Sequence, residues 1–214
     1  MEGVRRVVMK TILAMPTFRS VSAELMAQFM QMAGWCALNK VEIVTVANRT
    51  HADARNWLVT GGGGFTKPRT LIDSCYQIVF VDSDQVFTLA QLKELIEHPG
   101  DFVTGWYIKG DNIPMVARWD EEKFMKSGHM DFLSIKELEE AEYGISVDYC
   151  GFGFTKIKTE VLGKMNYPYF TQKQVTIGGL SENVSEDASF CLDCPVKPLV
   201  VPTLRVGHLK ERVV

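Results

Sequence analysis

Tyr76-Gln77-Ile78-Val79-Phe80-Val81-Asp82-Ser83-Asp84 decides the fold. The run from Tyr76 to Val81 reads as a strand buried on both faces, because a strand with helices packed above and below it has no solvent side to mark with polar residues. Such strands belong to mostly parallel sheets. The run stops abruptly at two carboxylates, and in a parallel α/β sheet ligands bind outside the carboxyl ends of the strands. In an extended turn residues two apart point the same way, so Asp82 and Asp84 are expected to converge on one hard cation that bridges diphosphate oxygens. A plain solvated turn is the competing reading, since Asp and Ser are common turn formers.

Upstream, Val7 to Ala14 is the expected first strand, stopped by Pro16-Thr17. Val21, Leu25, Phe29, Ala33 and Cys36 then recur at helical spacing. Val41 to Ala47 is a second strand, and a short helix from Asp53 to Val59 ends at Gly61 to Gly64. That glycine run is no phosphate loop: Lys67 is followed by Pro68, and no Gly-Lys-Ser/Thr supplies the phosphate lysine and metal hydroxyl.

Downstream, Thr88 and Gln91 form a capping box for a helix through Leu92, Leu95 and Ile96 that Pro99-Gly100 ends. Phe102 to Trp106 is the next strand. A polar stretch from Asp111 to Asp131 reads as insertion or substrate-facing structure, and Ser134 with Glu137 caps a charged surface helix. Val147 to Phe154 and Leu199 to Val206 are the last expected strands, with helices at Thr159 to Met165 and Ser185 to Asp193.

The 214 residues, 46% hydrophobic and 23% charged, suffice for one core, so a single domain over 1–214 is expected, whether whole or cut from a longer chain. A net charge of −3 without massed basic residues argues against nucleic acid. No apolar run approaches the roughly 20 residues of a membrane span. Five cysteines, an odd number in a chain that needs no staples, fit a reducing compartment, and the expected location is cytoplasmic, the host cytoplasm for a viral chain. Cys191-Leu-Asp-Cys194 has zinc-like spacing but lacks a second pair.

Four segments together resemble the GT-A class of glycosyltransferases over nearly the whole chain. Ile12 to Thr17 is similar to the class's opening strand and nucleotide loop, with Pro16 and Thr17 at the donor. Asp53-Ala54-Arg55-Asn56 is similar to the helix start whose arginine faces the nucleotide, and Ile78 to Asp84 to the apolar strand with its Asp-x-Asp motif. Ser185-Glu186-Asp187-Ala188-Ser189-Phe190-Cys191, followed by Arg205-Val206-Gly207-His208, is similar to the Glu-Asp helix and the terminal histidine ligand. Within the class the chain also resembles the amino-terminal glycosyltransferase domain of a large chlorella virus protein.

The resemblance implies a Rossmann-like GT-A fold, a central mostly parallel mixed β-sheet flanked by helices. It also implies transfer of a sugar, glucose by default, from a uridine diphosphate donor to a glycan, glycoprotein or other hydroxyl acceptor. The chemistry asks for the same residue types. Negative charge on the departing diphosphate calls for a divalent metal, held by Asp82 and Asp84 beside Ser83, and His208 as a nitrogen ligand tilts the choice from magnesium towards manganese. A lone histidine is also often structural. Lys210 or Arg55 would add positive charge at the phosphates. Trp106, Tyr107, Gly151 and Phe152 are candidates for the sugar pocket, since aromatic faces pack on sugar C–H surfaces and glycine admits a close backbone. The resemblance makes Asp187 the base, with Glu186 beside it. First-turn carboxylates capped by Ser185 are an equally physical reading.

One rival shares the Asp-x-Asp pattern: a haloacid-dehalogenase-like magnesium phosphatase would use Asp82 as nucleophile. Its motif lies on the first strand, whereas here two strands precede it.

Overall fold

A computed structural model of the chain describes residues 10–17, 21, 23–61, 74–110 and 112–209. Residues 7–9 of the expected first strand, the glycine run beyond Gly61, Asp111 and Lys210 lie outside the described residues.

The chain opens with β1 (Thr11–Thr17), α1 (Ala23–Leu38), β2 (Val41–Ala47) and α2 (His51–Thr60). β1 runs through Pro16 instead of stopping before it. It pairs with β3 (Gln77–Val81) only as far as Ala14, and beyond that point a missing N–H is tolerated. The buried side of α1 is Leu25, Gln28, Phe29, Met32 and Cys36, so Ala33, expected inside, faces solvent. α2 starts and ends by local chemistry. Thr50 Oγ1 accepts from the Asp53 amide at 3.3 Å. Gly61, at φ 73°, ends the helix in the left-handed conformation with its N–H on the Trp57 carbonyl.

After β3 come β4 (Gln85–Val86), α3 (Leu89–Glu97), β5 (Phe102–Trp106), β6 (Ile108–Lys109), β7 (Ile113–Pro114) and β8 (Val116–Arg118). Next are α4 (Glu121–Ser127), β9 (Asp131–Phe132), α5 (Ile135–Glu140), β10 (Ile145–Ser146), β11 (Tyr149–Cys150), β12 (Phe154–Lys158) and α6 (Thr159–Leu162). The chain then forms the hairpin β13 (Lys173–Ile177) and β14 (Leu180–Val184), followed by α7 (Glu186–Asp193), β15 (Leu199–Arg205) and β16 (Gly207–His208). Both expected capping boxes are present, Thr88 with Gln91 and Ser134 with Glu137. The single strand expected from Val147 to Phe154 is two: β11 pairs with β8 in a small sheet, whereas β12 lies between β3 and β5.

The main sheet has seven strands in the order β10-β15-β5-β12-β3-β1-β2. β2, β1, β3, β5 and β15 run one way, and β12 and β10 run the other. The result is a mostly parallel mixed sheet flanked by helices. Alternation along each strand divides the core in two. Ile12, Ala14, Ile78 and Phe80 pack with Leu58 of α2 and Phe190 of α7, while Leu13, Met15, Val79 and Val81 pack with Phe29 of α1 and Leu95 of α3. Each of these side chains larger than alanine contributes about 1.5–3 kcal/mol by leaving water. β3 has no solvent face, which is why its sequence shows no polar alternation. Among the described residues no helix is long and apolar enough to cross a membrane. The five cysteines are free thiols.

Candidate functional site

At the carboxyl end of β3 the Asp82 amide donates to the Gly153 carbonyl at 3.0 Å, and the Asp82 carbonyl accepts from the Gln85 amide at 3.1 Å. Asp82, half-buried Ser83 and Asp84 therefore form a tight turn into β4. β4 pairs with β16, His208 opposite Gln85, and the Leu209 amide donates to the Asp84 carbonyl at 2.7 Å. This pairing brings distant sequence onto the turn: Nε2 of His208 lies 3.0 Å from Oδ2 of Asp84. Tyr107 stacks on the imidazole, with ring centroids 5.6 Å apart and planes 18° from parallel. Gly151 and Gly153 make room for that ring. A Cβ at Gly151 would sit 2.3 Å from the Tyr107 Oη, and one at Gly153 would sit 2.7 Å from its Cε1. Both glycines are thus approached by the protein's own tyrosine.

Beside this pair lies a buried ionic cluster. Arg55, on α2 and 1% exposed, donates through Nη2 to both oxygens of Asp82 at 3.0 and 3.2 Å. Through Nη1 it donates to Glu186 Oε1 at 3.0 Å and Asp187 Oδ1 at 2.5 Å. Phe152 and Phe170 rings flank the guanidinium at 5.5 and 5.9 Å. Burial opposes its charge, yet Asp82, Asp187 and Glu186 together raise its pKa above the ordinary arginine value. Three carboxylates surround one guanidinium, so burial and their mutual repulsion both disfavour a further negative charge there. Burial therefore pushes the Asp187 carboxyl up to about 6, with Arg55 opposing and Asp82 and Glu186 reinforcing. The remaining Asp187 oxygen faces the Phe152 amide at 3.5 Å. Capping belongs to Ser185, whose Oγ accepts from the Ala188 amide at 3.3 Å.

The expected site residues separate accordingly. Pro16 and Thr17 end β1 at the same sheet edge as Asp82, with Thr17 Oγ1 donating to the Val46 carbonyl at 3.2 Å. Asp82 and Asp84 take different partners, Arg55 and His208, because the turn separates them and the arginine claims the first. Arg55 itself has both terminal nitrogens bonded to carboxylates, so it anchors the site where a free cation facing phosphate was expected. A carboxylate held on both oxygens is also a poor nucleophile, which weakens the phosphatase mechanism at Asp82. Trp106 and Phe152 are corrections: each is at most 1% exposed. The Trp106 indole N–H donates to the Pro202 carbonyl at 2.9 Å, and the Phe152 ring packs among Phe80, Phe170 and Phe190. Both belong to the core. Lys210 lies outside the described residues. Gln85, 1% exposed beneath the turn, was missed, and a polar residue directly after the Asp-Ser-Asp run is the signal that pointed to it.

Among the described residues no three His, Cys, Asp or Glu side chains form a metal cluster. Asp84 with His208 nevertheless fits two positions of a shell. Two donors about 2.1 Å from an octahedral ion and at right angles are about 3.0 Å apart, and such ions take one or two protein ligands and complete their shell with phosphate and water. Among the described residues the buried Nδ1 of His208 also has no hydrogen-bond partner.

No protein-family model matches the chain, and no curated protein matches it either. Among solved structures it is similar to A197 from STIV, with a TM-score of 0.61 and 20% identity. That likeness covers 95% of this chain and 87% of the other. A likeness of this extent at this identity is one of fold. It carries the α/β architecture from one end of the described chain to the other.

Proposed function

We propose that the chain is a metal-dependent glycosyltransferase of the GT-A class, moving a hexosyl group from a uridine diphosphate donor to a glycan hydroxyl. The observation that carries this reading is the linkage made by Arg55. One guanidinium ties Asp82, at the carboxyl end of β3, to Glu186 and Asp187 on α7, next to the Asp84–His208 pair. A donor-side turn and a candidate base are thereby held in one site, at the sheet edge where α/β ligands bind.

Manganese or magnesium held by Asp84 and His208 would stabilise the negative charge of the departing diphosphate. The remaining work falls to side chains. In an inverting transfer the acceptor oxygen bonds to the anomeric carbon, the carbon–oxygen bond to the diphosphate breaks, and its electron pair leaves with the diphosphate. The hydroxyl proton passes to the Asp187 carboxylate. A carboxyl pushed up to about 6 is a stronger base than an ordinary aspartate and is still mostly ionised near neutrality. Arg55 holds both oxygens of Asp82 and holds α7 against the turn. Tyr107 fixes the imidazole plane of His208.

Asp84→Asn tests the proposal. Manganese-dependent release of uridine diphosphate should fall to background while the circular dichroism spectrum is unchanged. Full turnover in that variant would sink the metal assignment.

A further inference from the structure

Beyond the ionic cluster lies a second concavity, walled by α4, the β13–β14 hairpin and the outer side of α7, with a volume of about 480 Å³. Ligand pockets range over about 300–1,000 Å³, so this one is large enough for a small molecule or a sugar unit or two. Its walls are fixed by specific contacts. Lys173, at the start of the hairpin, pairs with Asp193 of α7. At the hairpin turn Gly178, at φ 54°, lies so close to α4 that a Cβ there would sit 2.5 Å from the Met125 Sδ. The hairpin is thus anchored to both other walls.

The lining combines large apolar surface with carboxylates. Trp119 is 39% exposed and Leu192 is 62% exposed, an unusual amount of uncovered hydrophobic area to share one cleft. The Trp119 indole is held in place: Asp148 Oδ2 accepts from its backbone amide at 2.9 Å, and its ring leans on Phe124 with centroids 5.1 Å apart. Glu121 and Glu182 stand on the lining, both exposed. Among the described residues lining the cleft there is no lysine or arginine.

We propose that this cleft binds a neutral glycan, with one sugar ring stacked on Trp119 and its hydroxyls donating to the Glu121 and Glu182 carboxylates. An aromatic face packs on the C–H side of a pyranose, and ionised carboxylates only accept hydrogen bonds, which matches a ligand rich in hydroxyl donors. The carboxylates repel an anionic ligand. The cleft reaches the catalytic cluster through two residues. Ala188, on its lining, follows Asp187 directly, and Tyr149 lines the cleft from β11, which packs on α7. Use of the cleft as the acceptor site rests on the transferase reading above. Its binding of carbohydrate does not.

The test is an isothermal calorimetric titration of the full chain, without nucleotide or metal, using cellobiose, lactose and maltose as neutral probes. Glucose 6-phosphate serves as the anionic probe and an apolar hexapeptide as the competing class. A saturable response to at least one disaccharide is expected, weakened at least about tenfold in Trp119→Ala and largely retained in Trp119→Phe. Glu182→Gln, an exposed change that spares the fold, should weaken the same disaccharide. No response to any disaccharide, equal affinity in Trp119→Ala, or tighter binding of the phosphate or the peptide would overturn the proposal. Because no donor is present, failure of the nucleotide-sugar reading leaves this result unaffected, and the converse also holds.

Discussion

Arg55 grips Asp82 through Nη2 on both carboxylate oxygens while itself 1% exposed, and the two residues lie 27 positions apart in the sequence. The guanidinium arrives on α2 and the carboxylate at the end of β3. A buried charge of this kind persists only because it is paired, and its partners include Glu186 and Asp187 on α7. Positioning of the site and stability of the fold therefore meet in one side chain.

Removing that side chain should be costly. Arg55→Met leaves Asp82, Glu186 and Asp187 without their common counter-charge, and breaking a buried pair from one side costs about 3–5 kcal/mol. A urea unfolding midpoint measures it. Adding Asp187→Asn to Arg55→Met should recover part of the loss, since one of the stranded charges is then gone. Wild-type stability in the single variant would show that the cluster is not buried as described.

Asp187 makes stability and turnover respond to pH in opposite directions. The folded state holds its carboxyl proton up to about 6 against an ordinary value of 3.8, so folding is favoured by protonation. That contribution is complete below 3.8 and is lost as pH rises through 6. The urea midpoint of the wild type should decline across this window relative to Asp187→Asn. Turnover should rise across the same window, because the base works only when ionised. A pH profile of kcat/KM without a limb near 6 contradicts the role given to Asp187.

Gly151 has no room for a side chain. Gly151→Ala sets a Cβ 2.3 Å from the Tyr107 Oη and must push the ring that stacks on His208. Overpacking of this kind costs about 1–3 kcal/mol. Tyr107→Phe removes the clashing oxygen, so the double variant should be more stable than Gly151→Ala alone. Thermal midpoints of the two variants decide it.

Local chemistry made much of this fold legible. β2 and β5 fall on Val41–Ala47 and Phe102–Trp106 as expected from β-branched and apolar runs, and the Thr88 and Ser134 capping boxes mark their helices. The hairpin β13–β14 was missed, although Val175 and Ile177 alternate ahead of Gly178-Gly179. Among the described residues its strands pair with each other and not with the main sheet, so they carry no continuous apolar run. Trp106 and Phe152 were misplaced because an aromatic at a strand end looks the same whether it faces a ligand or a neighbouring layer. The layers that cover them come from β15 and α7, distant in sequence. The same distance hid the role of Arg55, whose partners Glu186 and Asp187 lie 131 and 132 positions away.

The most direct measurement is the thermal midpoint of the full chain with uridine diphosphate glucose, with manganese, and with both. A ligand that binds only the native state raises stability, by about 2.7 kcal/mol at a hundredfold excess over its Kd. The expected result is a clear upward shift with nucleotide sugar and manganese together, much reduced in Asp84→Asn and His208→Ala. No shift with any uridine or guanosine diphosphate sugar, with or without manganese, would contradict the proposed donor site.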